Sequence, residues 1–409
     1  MRSIALTVGA ALALALAVPA TAFAAPAAPA PAAAPATPAS SSPKVEHPLF
    51  DVSCASSKFC AAVGYDERAD EGDGGPIAET WNGTRWAAVK VVKLSAGTTG
   101  GALFGVSCKS AKSCVAVGDA FLKNDNTAAL AASWNGATWT AVRAPVPSGA
   151  TTAALTAVSC VTPSDCVATG VSTNSKGASV ALADTWNGKK WTEVSIALPK
   201  GSSNGDLSGI SCKSARSCVA VGSYGNADDE TFSLAAVWNG RTWTTSKPPT
   251  PAGATSAALQ GVSCPSTTDC AAVGWYNRAG GSVGLAEAWN GKQWTRVAVP
   301  KSPGNGSLYS VSCVTSKYCL AVGSGGPAGA SQGTPAAYVW NGKSWVFKLV
   351  PVPPKGGGST ALSQLQGASC VSATDCVAVG ELVLGNAEQS QYGFSGLWNG
   401  KGWRLVGTV

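Results

Sequence analysis

Seven copies of one pattern constrain this chain more than any other feature. The clearest copy runs from Leu259 to Trp294: Leu, three residues, Ser-Cys, five residues, Cys-x-Ala-Val-Gly, a variable loop, then Trp-Asn-Gly-x-x-Trp. First cysteines fall at Cys54, Cys108, Cys160, Cys212, Cys264, Cys313 and Cys370, and the copies start near residues 49, 103, 155, 207, 259, 308 and 365. A period near fifty residues suits propeller blades; helical arrays repeat at ~33 to 47 residues and carry a helical periodicity that is missing here.

Each copy reads as four short strands. In strand a, Leu sits five residues before the first cysteine, followed by Val, Ile or Ala two before it and by Ser immediately before it. Apolar positions that do not simply alternate fit a strand packed on both faces, the innermost of a blade. A five-residue polar turn leads to strand b, as in Cys218 to Gly222. Facing residues of such a hairpin lie ~4.5 to 5.5 Å apart at Cα, within disulfide range. The spacing therefore predicts seven local bridges: Cys54 to Cys60, Cys108 to Cys114, Cys160 to Cys166, Cys212 to Cys218, Cys264 to Cys270, Cys313 to Cys319 and Cys370 to Cys376. A metal would want Cys and His at tetrahedral spacing, and the single histidine, His47, precedes the repeats. Closing so short a loop contributes at most roughly 2 kcal/mol per bridge, so the bridges hold register more than they drive folding.

Strand c ends in Trp-Asn-Gly, which reads as the centre of a two-residue type I′ hairpin. That turn would pair Trp81 with Thr84 and Glu79 with Trp86, leaving Trp81 and Trp86 diagonal on one face. Fourteen of the fifteen tryptophans occupy the two framework positions, which marks them as packing between blades more than as a sugar platform. Four antiparallel strands in each of seven copies predict an all-β, seven-bladed β-propeller with one local disulfide per blade. Strand a opens the first copy and a complete strand d, Trp403 to Val409, closes the last. The ring would then close by packing alone, helped by Val45 to Pro48.

Upstream of the repeats, residues 1–24 carry Arg2, an apolar run from Ile4 to Val18 and small residues at Ala22 and Ala24. This is a signal-peptide pattern, cut after Ala24, with an uncleaved anchor as the alternative. Residues 25–44 are an Ala, Pro and Ser-rich segment, read as a disordered linker, and residues 45–409 as the propeller. No later apolar run could span a membrane. The expected product is a secreted, extracellular monomer with no membrane span in its mature chain.

The charged fraction is 12%, about half the ~25% of ordinary domains. Net charge is +7 with Arg2 included, and no run of Lys or Arg marks a nucleic-acid or lipid patch. Nucleic acid is therefore not an expected partner.

At residues 45–409 the chain resembles secreted bacterial β-propeller repeat proteins, a group with kelch-type, sialidase-type and lectin-type members. The resemblance implies architecture and not an activity, because propellers host unrelated functions. The Asp-box of sialidase-like propellers, Ser-x-Asp-x-Gly-x-x-Trp, is matched only at its Gly-x-x-Trp end, as in Gly188 to Trp191, and Trp186 stands where the box needs Asp. Copper chemistry of the galactose-oxidase type lacks its histidines.

Strands that alternate in direction put a–b and c–d turns on one face, and b–c loops and d–a connectors on the other. The second face varies between copies, and variable loops on a rigid scaffold are where binding residues usually lie. There, Trp275, Tyr276, Asn277 and Arg278 form the leading candidate, suited to stacking on a sugar or anchoring a protein; the bland alternative folds Trp275 over the blade edge. Tyr392 with Gln391 and Gln389 is a second candidate. No cofactor is expected, although Asp66, Asp70 and Asp73 in an acidic, Gly-rich loop with Glu67 and Glu71 could hold calcium. A carboxylate pair drawn from Asp228, Asp229, Glu230, Glu381 and Glu388 would be the basis of a hydrolase or lyase. These residues favour a non-enzymatic propeller that binds an extracellular or cell-surface polymer, polysaccharide ahead of an envelope protein.

Overall fold

The computed structural model describes residues 47–408 apart from 67–73, 90–93, 95–96, 125, 229, 301–305, 326–332, 353–359 and 385–390. The signal and linker expected over 1–44 lie outside these residues. The described chain forms seven four-stranded antiparallel sheets, each made of consecutive strands in the order a-b-c-d, with no helix among the described residues. Strands a are Leu49–Ser56, Thr98–Ser110, Thr152–Thr162, Asn204–Ser214, Ser256–Ser266, Ser307–Thr315 and Thr360–Ser372. Each packs on strand a of the blade before and the blade after, including the first on the last. The result is a closed seven-bladed propeller around a ring of inner strands.

The invariant residues of the repeat explain the ring. Leu at five before the first cysteine is fully buried in every blade, between 0% and 1% exposed. The Ser before that cysteine bridges to the next blade: its Oγ accepts the N–H of the next blade's first cysteine at 2.9–3.0 Å. Ser369 completes the circuit by accepting from the N–H of Cys54 at 2.9 Å, across 315 residues of sequence. Closure therefore uses no exchanged strand and the same bond as every other interface. The seam is reinforced where Trp86 Nε1 donates to Ser395 Oγ at 2.9 Å. A Cβ at Gly393 would lie 2.3 Å from the His47 carbonyl, so the start of the described chain does press on the last blade.

All seven disulfides form, with Cα atoms 3.9–4.0 Å apart, somewhat closer than facing residues of a hairpin ordinarily lie. Seven structural bridges place the chain in an oxidising compartment outside the cytoplasm. No described helix is long and apolar enough to cross a membrane.

The c–d turn departs from the expected register. Trp81 faces Trp86 directly, not Thr84, and the loop holds four residues, Asn82 to Arg85. Asn82 Oδ1 accepts the N–H groups of Thr84 and Arg85, both at 3.0 Å, so the side chain supplies the acceptor that a tighter turn would take from the backbone. Gly83 takes φ +95°, which a side chain would strain. Direct opposition brings the two indoles to 5.6 Å between centroids, and the other six blades repeat this at 5.3–5.6 Å. The pairs pack on the preceding blade, as Trp134 and Trp139 do on Ala61, Val63 and Ala78.

Candidate functional site

A bulge repeated in all seven blades creates the site. In every blade the pairing of strand a with strand b skips the residue after the invariant Leu, which has no partner. The Gly ending Cys-x-Ala-Val-Gly permits this: a Cβ at Gly274 would lie 2.0 Å from the Ala258 carbonyl. The unpaired residue is half-buried beside the fully buried Leu, and in blade three its hydroxyl reaches the next blade, where Thr156 Oγ1 donates to the Leu207 carbonyl at 2.7 Å. Around the ring it is Phe50, Phe104, Thr156, Ser208, Gln260, Tyr309 and Gln366. Phe50 and Phe104, from adjacent blades, sit 5.7 Å apart by ring centroid, so the first two members of this tier meet.

Just above, each strand a residue before the Leu faces the strand b residue after the Gly. These pairs include Ala102 with Asp119, Asp206 with Ser223, Ala258 with Trp275, Ser307 with Ser324, and Gln364 with Glu381. Blades six and seven each bond such groups together, and the two adjacent groups make a polar arc. The Tyr309 hydroxyl lies 3.1 Å from Ser324 Oγ, and Glu381 Oε1 accepts from Gln364 Nε2 and, at 3.3 Å, from Gln366 Nε2. Burial raises the Tyr309 hydroxyl above its ordinary pKa, its bonds to Ser324 and Ser307 oppose this, and the Glu381 charge adds to the rise. In blade four, burial pushes the Asp206 carboxyl up, against bonds from Ser223 and Ser208, the latter at 2.8 Å. Burial raises Asp119 to about 7, opposed by the backbone N–H of Ala102. None of the side chains at these three positions in any blade is Lys, Arg or His. The arc offers hydroxyl, amide and carboxyl groups with aromatic rings in other blades, and these three positions supply no cationic side chain.

Trp275 to Arg278 do not form a loop. They extend strand b, Asp269–Arg278, because Gly280 and Gly281, at φ +101° and +114°, turn the chain so tightly that Arg278 still pairs with Gly281. Alternate side chains therefore point to opposite faces of the blade. Tyr276 packs on the cluster containing Val219 and Val221 of blade four, and Asn277 Nδ2 donates to Ser256 Oγ at 3.1 Å. Trp275 takes the other side, half-buried, between the small residues Ala258 and Gly284. It occupies in blade five the position Glu381 occupies in blade seven. Arg278 is exposed at the tip.

Tyr392 pairs with Leu382 and packs on the last blade's core, with Gln391 beside it at the start of strand c. Glu388 and Gln389 lie outside the described residues. Asp228 and Glu230 lie in a turn organised by Asn226, whose Oδ1 accepts both their N–H groups at 2.9 Å; both are exposed, and Asp229 lies outside the described residues. Of the calcium candidates, Asp66 is buried with its Oδ1 3.3 Å from His47 Nδ1, and Glu67, Asp70, Glu71 and Asp73 lie outside the described residues. No group of three or more His, Cys, Asp or Glu gathers among the described residues.

Sequence patterning alone does not single out Tyr309, Gln366, Asp206 or Gln260. Their signal is present nonetheless: between an invariant Leu and an invariant Ser-Cys, one strand a position varies among aromatic, hydroxyl and amide residues.

No protein-family model matches this chain, and no curated protein matches it. Among solved structures it is similar to a polysaccharide lyase, PL25 ulvan lyase, with a TM-score of 0.55 at 8% identity over 88% of this chain and 95% of that one. The same family's structure bound to -[GlcA(1-4)Rha3S]- gives a TM-score of 0.53 at 8% identity, with the same coverage. A protein of unknown function from Dyadobacter fermentans DSM 18053 gives 0.50 at 10%, over 72% of this chain and 94% of that one. At these identities the likeness is one of fold.

Proposed function

We propose that this chain is a secreted, non-enzymatic binding propeller that takes an extracellular or cell-surface polymer, polysaccharide in preference to protein, on its variable face. The observation that carries this is the tier of half-buried hydroxyl, amide, carboxyl and aromatic side chains at and beside the strand a bulge, set on an otherwise repetitive scaffold. Sugars are recognised by that combination: flat rings against apolar sugar faces and convergent polar groups on hydroxyls. Trp275 provides the stacking surface, with Tyr276, Asn277, Arg278, Gln391 and Tyr392 at the same end of their blades. The ulvan lyase of similar fold holds a saccharide, which supports the scaffold's suitability without naming a ligand. A tyrosine hydroxyl and a carboxylate in adjacent blades, Tyr309 and Glu381, support a second reading, a hydrolase or lyase acting at the same arc.

The test is co-sedimentation of the purified protein with cell walls and insoluble polysaccharides, with released sugar measured in the supernatant. Binding without release, weakened at least tenfold by Trp275→Ala, is the expected result. Sugar release abolished by Tyr309→Phe would establish the second reading, and failure to bind every polysaccharide would overturn both.

A further inference from the structure

The opposite face carries a charge pattern that no single stretch of the sequence displays. Lys58, Lys112, Arg216 and Lys317 occupy one position, two residues before the second cysteine, and Lys109 and Lys213 directly follow the first. In the c–d turns, Asn-Gly is followed by Lys189 with Lys190, by Arg241, by Lys292, by Lys343 and by Lys401, with Arg85 one place later. All thirteen are exposed, and every blade supplies at least one. Three acids share these turns, Asp165, Asp269 and Asp375. None of the thirteen forms an ion pair among the described residues.

The two turns of a blade make one patch. A Cβ at Gly83 would touch the Lys58 stem at 3.5 Å, at Gly136 the Lys112 stem at 3.0 Å, and at Gly342 the Lys317 side chain at 3.3 Å. The base of each a–b turn thus leans on the neighbouring Asn-Gly turn, and the patches follow one another around the ring.

We infer that this basic face binds a linear anionic glycan, a second ligand distinct from the one proposed for the variable face. Ten of the thirteen bases are lysines, point charges suited to many dispersed anionic groups more than to one planar, bidentate partner. A polyanion bound this way gains mainly by releasing its condensed counterions, so length and charge density matter and the individual sugar does not. A bilayer is a poorer match, because Val371 is the one large apolar side chain well exposed in these turns among the described residues. The oxidising compartment implied by the disulfides sets envelope and extracellular polymers ahead of nucleic acid.

The experiment measures binding of the full protein to polygalacturonate, to dextran as an uncharged control and to anionic phospholipid vesicles, between about 50 and 200 mM salt. A first variant combines Lys58→Glu, Lys112→Glu, Arg216→Glu and Lys317→Glu. A second combines Lys123→Glu, Arg143→Glu, Lys176→Glu and Lys200→Glu, which changes net charge equally but away from this face. Expected are polygalacturonate binding that weakens at least tenfold over that salt range, a loss of at least tenfold in the first variant, and little change in the second. Equal loss in both variants, no polygalacturonate binding at low salt, or binding to vesicles in preference to polygalacturonate would each overturn the inference. Because the variable face is untouched by the first variant, its binding to the neutral polysaccharides of the preceding test separates failure of this inference from failure of that one.

Discussion

The two ends of the same strands have been built under opposite rules. At the stapled end, Ser-Cys, the disulfide and Asn-Gly recur seven times, and the side chains that do change are often lysines in solvent. Toward the other end, a few residues along strand a, Phe50, Thr156, Gln260 and Tyr309 fill one position. The difference teaches where this fold makes its demands. The Ser hydroxyl that bridges blades and the opposed cysteines need particular atoms, whereas the bulge needs only the Gly behind it and leaves its own side chain free.

Adjacent residues test that contrast most severely. Leu259→Ala removes a fully buried side chain and should cost about 2 to 5 kcal/mol in denaturant unfolding. Gln260→Ala, one residue on at the half-buried bulge, should cost about 1 kcal/mol or less; comparable costs would break the distinction.

The next effect depends on pH and sits between the two ends, inside the blade interfaces. Burial raises Asp184 to about 7, helped by the Glu193 charge, and raises Glu287 to about 8 against the Arg296 charge. Burial also holds Asp51 at about 7, opposed by the N–H of Val106, which donates to Asp51 Oδ2 at 2.9 Å. In each the folded pKa exceeds the unfolded one, so the native state holds protons that the unfolded chain has lost. Stability is fully present below about pH 4 and is lost as pH rises through about 7 to 8. The melting temperature should therefore climb on acidification from about pH 8 to about pH 5, and Glu287→Gln should flatten the climb while stabilising the protein at the upper end by on the order of a few kcal/mol. A Glu287→Gln variant less stable than wild type at that upper pH would refute the assignment.

Smaller still is the loss of one inter-blade bond. Ser369→Ala at the closing seam and Ser211→Ala within the ring should each cost about 1 to 2 kcal/mol, by leaving a part-buried N–H unpaired. Equal costs sharpen the picture of seven equivalent interfaces, and a seam variant that unfolds alone would contradict it. Gly83→Ala, at positive φ in an exposed turn, should cost about 1 kcal/mol in thermal unfolding, leaving the Trp81 to Trp86 contact in place by tryptophan fluorescence.

Much of this is legible in the sequence because repetition averages away local ambiguity: seven Leu, Ser-Cys and Trp positions cannot all be accidents of composition. What misleads is the backbone seen without its side chains. Asn-Gly signals a turn but not that the Asn carboxamide is its acceptor, which shifts the register by placing Trp81 opposite Trp86. Strand b carries no mark of where it ends, so Trp275 reads as a loop residue until Gly280 and Gly281 are seen to close the hairpin. The basic face is hidden for a simpler reason. Its charges arrive one to three per blade, and only the closed ring sums them.

The circuit of serine bonds also sets a timetable. Each blade completes its sheet and its bridge from neighbouring residues, so these units can form as soon as their own stretch of chain is available, in the fast regime of local contacts. The bond from Cys54 to Ser369 cannot form until the last blade exists, and it requires closing the longest loop the ring contains. Folding therefore finishes where the first and last blades meet. Unfolding that starts at this junction, instead of inside a stapled blade, would make the lifetime of the native ring a property of one interface among seven.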